Sequence, residues 1–139
     1  MKVLHIFNEL NPSGGEVMIK EASSFFQAAG LTSIVLSTGE TEGVYAENLR
    51  VAGYEICLLP FRENIKFCFE FIRLIKRNGI EVVHLHSERV AFWCGFLAKL
   101  AGARIVIRTF HNVFQSKGKE RLKRILQRNI LSTLGVKMC

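Results

Sequence analysis

The chain has 139 residues, 49% of them hydrophobic, with eleven phenylalanines and two prolines, which excludes a disordered polymer and leaves room for one domain with a real core. Its net charge of +7 is confined to the last quarter: residues 1–103 carry ten Lys/Arg against eleven Glu, and residues 104–139 carry nine against one. Aspartate is absent throughout, which excludes a phospho-acceptor receiver and any metal-holding Asp-x-Asp within this chain.

The first predicted strand, Val3 to Asn8, starts almost at the N-terminus, so no signal peptide is expected. It runs into Asn11-Pro12-Ser13-Gly14-Gly15-Glu16, a turn between a strand and a helix. Backbone N–H groups at a helix N-terminus favour a phosphate, and paired glycines let a ligand approach closely. The same Gly-Gly pair also serves as a plain turn. It is neither Gly-x-Gly-x-x-Gly nor a Walker loop, and the second strand ends in Ser37-Thr38-Gly39 with no acid to hold a ribose, so a nicotinamide cofactor is not expected.

Helical patterns then close at Gly30, Gly53, Gly79, Gly102 and Gly135, where glycine supplies the left-handed cap. The strands after the first four read Thr32 to Ser37, Tyr54 to Pro60, Glu81 to His86 and Arg104 to Thr109. Runs of about six Val/Ile/Leu-rich residues suit strands buried on both faces. Strand and helix alternate, so the expected fold is α/β: a doubly wound parallel sheet, Rossmann-like, in three αβα layers. In the helix from Glu63 to Asn78, an apolar stripe of Ile65, Cys68, Phe69, Ile72 and Ile75 is widened by Phe67, Phe71 and Leu74, and deep burial is expected.

Histidines cluster in the fourth and fifth strands. His84 and His86 alternate, so they share a face. His84 lies within its strand as a hydrogen-bonded core residue, whereas His86 and His111 stand at strand edges where a base or polar contact reaches substrate. His-x-His spacing suits a metal, but no third ligand is evident beyond His111 or Glu88, so no metal site is expected. His5, inside the first strand, reads as structural.

No apolar run approaches the ~20 residues that span a bilayer; the longest, Val90 to Ala98, reads as a buried helix. Cys57, Cys68, Cys94 and Cys139 lack Cys-x-x-Cys spacing and fall in apolar patterns, so free thiols and a reduced, cytoplasmic setting are expected. Lys117, Arg121, Arg124 and Arg128 form one basic stripe, opposite Leu122, Ile125, Leu126, Ile130 and Leu134. Such a helix is either a solvated face over a packed one or an attachment to anionic lipid headgroups. No aromatic residues interleave with the stripe, so nucleic acid is not an expected partner. After Gly135, Val136-Lys137-Met138 opens a sixth strand, too short to pair as it stands, so the chain is expected to be one domain (1–139) truncated before its last strand.

Taken in order, Gly14-Gly15-Glu16 after a strand, Val82-Val83-His84-Leu85-His86, and Thr109-Phe110-His111 before a basic helix resemble the N-terminal domain of retaining family 4 glycosyltransferases. The resemblance covers essentially the whole chain. It implies the acceptor-side half of a two-domain GT-B fold whose C-terminal, donor-binding domain is absent here, so that this fragment alone is inactive. The implied reaction moves a sugar from a nucleotide-sugar donor to a glycan or lipid-linked acceptor in cell-surface polysaccharide or glycolipid synthesis, with retention and without a metal or other cofactor. Gly14, Gly15 and Glu16 would lie near the donor diphosphate and acceptor, His86 beside the transferred sugar, and His111 and Asn112 along the acceptor side. The basic stripe would rest on the inner face of the cell membrane. The competing expectation is a non-catalytic Rossmann-like module docking a separate donor-binding subunit or an anionic membrane.

Overall fold

A computed structural model describes residues 1–109 and 119–138. Among the described residues six strands alternate with five helices: β1 (Lys2–Phe7), α1 (Gly14–Ala28), β2 (Thr32–Ser37), α2 (Ala46–Val51), β3 (Glu55–Leu58), α3 (Ile65–Asn78), β4 (Val82–Leu85), α4 (Glu88–Ala101), β5 (Ile105–Arg108), α5 (Lys119–Thr133) and β6 (Val136–Met138). All pairings are parallel, in the order β3-β2-β1-β4-β5-β6. The fold is thus a doubly wound, Rossmann-like α/β sheet, as expected. Strand order reverses between β1 and β4, where such sheets open a ligand crevice at their carboxyl ends.

All five glycines expected to end helices have positive φ, from 62° at Gly79 to 96° at Gly102, and the Gly79 N–H reaches back to the carbonyls of Ile75 and Lys76. β6 departs from expectation: three residues suffice to pair with β5, with Val136 beside Val106 and Met138 beside Arg108. The core has two parts, one on each face. Leu4, Ile6, Ile34, Leu36, Val83, Leu85, Val106 and Val136 pack beneath α3, α4 and α5. On the other face Phe7 and Val35 meet Ile19, Ala46, Leu49 and Tyr54 from the α1 and α2 side, and among the described residues the strand members of this second cluster come from β1, β2 and β3. Ile105 and Ile107, on β5, remain half-buried.

The stripe expected on α3 is rotated. Asn64 Oδ1 accepts from Phe67 N at 2.9 Å and sets the first turn, so Phe67, Phe71 and Ile75 enter the core at i, i+4, i+8. Ile65 and Phe69 are left 72% and 65% exposed. Cys57, Cys68 and Cys94 are free thiols, and burial pushes the Cys94 thiol far above its ordinary range, which fits an inert hydrophobe.

Candidate functional site

The loops that follow β1, β2 and β3 are fastened to one another at the carboxyl rim. Leu10 N donates to Glu42 O and Leu10 O accepts from Tyr45 N, both at 2.9 Å. Thr38 Oγ1 donates to Phe7 O at 2.7 Å, Ser37 Oγ lies 2.8 Å from both Asn8 O and Thr41 O, and Glu9 Oε1 accepts from Thr41 N at 3.2 Å. Arg62 closes the rim through a two-point contact with Glu40 at 2.6 and 2.8 Å. These bonds hold the turn Asn11–Ser13 that feeds α1.

Gly14 opens α1, directly after the N-cap Ser13. A Cβ added at Gly14 would meet nothing within 4 Å, so the fold itself does not require glycine there. The first N–H groups of a helix have no intrahelical partner, and they gather partial positive charge at this point. Glu16 is turned away from that opening: it is only 4% exposed, accepts from Asn11 N at 3.4 Å and takes a hydrogen bond from Ser13 Oγ. Ser13-x-x-Glu16 has capping-box spacing, but the Ser13 hydroxyl bonds to Glu16 itself and makes no side-chain cap bond to the helix backbone.

His5 and His84 lie on the sheet face that carries α1, where His5 stacks on Phe26. The parallel register aligns Ile56, Val35, His5, His84, Ile107 and Lys137 in one row across six strands. His86 extends β4 by one residue, its N–H donating to Ile6 O at 2.9 Å. Its side chain leans toward β1, where the ring stacks on Phe7 with centroids 4.3 Å apart and planes 4° from parallel. As a result His86 is 8% exposed while His84 is half-buried, the reverse of the order expected from their places along the strand. His84 Nε2 lies 2.7 Å from Thr109 Oγ1.

His5 completes the group. Its Nδ1 is 3.3 Å from His86 Nε2, its ring stacks on Phe26 at 5.7 Å, and the edge of Tyr54 lies 6.2 Å away. Burial, and secondarily the neighbouring His84, push the His5 pKa down to about 3, so it is neutral at physiological pH. Sequence reasoning separated His5 from the other two because His84 stands 79 positions further along the chain; only the β1–β4 register joins them.

Gly14, Gly15 and Glu16 thus open α1 after β1, and His86 follows β4, on the two strands that flank the switch point. His111, Asn112 and Lys117 lie outside the described residues, as do the side chains of Arg121, Arg124 and Arg128. On α5 the described Leu126 and Ile130 are exposed at i, i+4, and Leu134, just past the helix end, is exposed as well. Among the described residues no helix is long and apolar enough to cross a membrane.

A sequence profile of the family described as Glycosyltransferase Family 4 matches residues 12–136. The chain is 27% identical over 126 residues, 90% of its length, to the capsular polysaccharide biosynthesis glycosyltransferase CapH of Staphylococcus aureus, of which it spans 34%. In three dimensions it resembles a glycosyltransferase from Rickettsia africae ESF-5, with a TM-score of 0.66 and 19% identity, over 99% of this chain and 41% of that one. It also resembles MurG of Acinetobacter baumannii, with a TM-score of 0.63 and 18% identity, over 89% of this chain and 39% of that one. The architecture is that of one Rossmann-like half of a GT-B fold.

Proposed function

Because this chain belongs to glycosyltransferase family 4, we propose that it is the acceptor-side domain of an enzyme that moves a sugar from a nucleotide-sugar donor to a glycan or lipid-linked acceptor. The likeness to CapH supports capsule-type, cell-surface polysaccharide synthesis as the setting. One observation supports the assignment: the Gly14-Gly15 start of α1 follows β1 and His86 follows β4, the two strands that flank the sheet's switch point.

The donor-binding domain belongs to the remainder of a longer protein, since the chain spans 34% of CapH and 41% of the Rickettsia enzyme. The crevice between the two domains would hold both substrates. The exposed amides that open α1 face the negative charge of the diphosphate as it departs, and basic groups of the other domain complete its stabilisation without a metal. Glu16 serves this site by holding the turn. His86 forms the floor beside the transferred sugar, and His111 with Asn112 lines the acceptor side. Close placement of the acceptor hydroxyl on the face the leaving group vacates gives retention. The basic residues Lys117, Arg121, Arg124 and Arg128, together with exposed Leu126, Ile130 and Leu134, attach the enzyme to the inner face of an anionic membrane.

Two substitutions in the full-length protein test this assignment. Gly14→Ala leaves folding stability unchanged or raises it by up to about 1 kcal/mol, because its methyl group meets open space. The same methyl group intrudes where phosphate approaches the backbone, and turnover falls. His86→Ala lowers turnover at least about tenfold, ~1.4 kcal/mol of barrier, while circular dichroism keeps the folded signature. Sugar transfer undiminished in both variants would remove this rim from the mechanism.

A further inference from the structure

The three clustered imidazoles are more than packing requires. Their row neighbours Ile56, Val35 and Ile107 show that this layer accepts plain hydrocarbon. Burying polar rings here is a net loss unless their nitrogens are used. One ligand atom from each of His5, His84 and His86 lies within 4.8 Å of the others. We infer that these three residues form a binding site for a single divalent d-block cation of the zinc type, bridging β1 and β4.

The donor set decides the class of ion. All three donors are imidazole nitrogens, which suit zinc-like ions, whereas magnesium and calcium require oxygen ligands. Bonds of about 2.0–2.1 Å in tetrahedral geometry place nitrogens about 3.3 Å apart. His5 Nδ1 and His86 Nε2 already stand at 3.3 Å. The third ring's ligand atom lies within 4.8 Å of the other two. When His84 Nε2–H donates to Thr109 Oγ1, 2.7 Å away, the hydroxyl fixes the tautomer in which Nδ1 is the electron-pair donor, the form that a metal ligand needs. A fourth position stays available to water or an anion. The ion would tie β1 to β4 and hold His86, and this binding is independent of sugar transfer.

Cobalt(II) and zinc(II) added to the chelator-stripped 139-residue chain are the probes. One equivalent of cobalt should give visible ligand-field bands without the near-ultraviolet sulfur band that binding at Cys57 or Cys68 would add. Zinc should displace it and raise the melting temperature. His5→Gln should weaken binding by at least about tenfold, and His111→Ala should leave it unchanged. X-ray absorption of the zinc-loaded wild type should report three imidazole ligands, and it decides the matter if His5→Gln does not fold. Absence of the bands at saturating cobalt, undiminished affinity in folded His5→Gln, or a sulfur-containing ligand set would overturn the site.

Discussion

Acidifying the metal-free chain from pH 7 to pH 5 is expected to cost about 2 kcal/mol of folding stability, and about 3 kcal/mol by pH 4, through His5 alone. The sign follows from the direction of the shift. His5 titrates near 6.5 when unfolded and near 3 when folded, so between those values the unfolded chain binds the extra proton. Stability is constant above about pH 6.5, falls as pH drops below it, and levels off near pH 3. The cause is physical confinement: the ring lies between Phe26, Tyr54 and two other imidazoles, where a cation is poorly solvated. Urea unfolding at a series of pH values, with chelator present, measures the effect. Equal unfolding free energies at pH 7 and pH 5 would show that His5 takes up its proton without opening the fold.

Gly43→Ala is expected to destabilise the chain by roughly 2–4 kcal/mol. Gly43 has φ of 98°, a conformation that an L-residue with a Cβ adopts only under strain. A Cβ there would also fall inside contact distance of the backbone N, C and O of Leu10. Those Leu10 atoms bond to Glu42 and Tyr45, so neither side of the contact yields cheaply. The displaced segment leads directly into Asn11–Ser13, and turnover of the full-length enzyme should fall with stability. Gly14→Ala is the contrast, since there the cost falls on turnover alone. Chemical denaturation of the two variants side by side separates the roles; an unchanged midpoint for Gly43→Ala would mean that the rim loops relax freely.

Much of the frame was legible in the sequence because its signals are local. Glycine after each apolar run fixed the helix ends, and the β-branched runs marked parallel strands to within one or two residues. The predicted strand from Tyr54 to Pro60 shortens to β3 because Tyr54 belongs to the core, its hydroxyl donating to Ile19 O at 2.6 Å. Long-range register was the blind spot. Nothing near His5 announces that it stands beside His84, and nothing in the α3 pattern says which half of a wide apolar arc faces the sheet. Glu16 was visible as part of a Gly-Gly-Glu string, but its inward turn depends on how the loop closes around Asn11 and Ser13.

The register row gives the histidine group two unlike ends. Toward β3 it finishes in hydrocarbon at Val35 and Ile56, and toward β6 it passes Ile107 to the exposed Lys137. A proton or ion travelling along the row from the Lys137 end would meet His84 before His5. It would have to leave by the same route, so exchange at the innermost ring is paced by the state of His84.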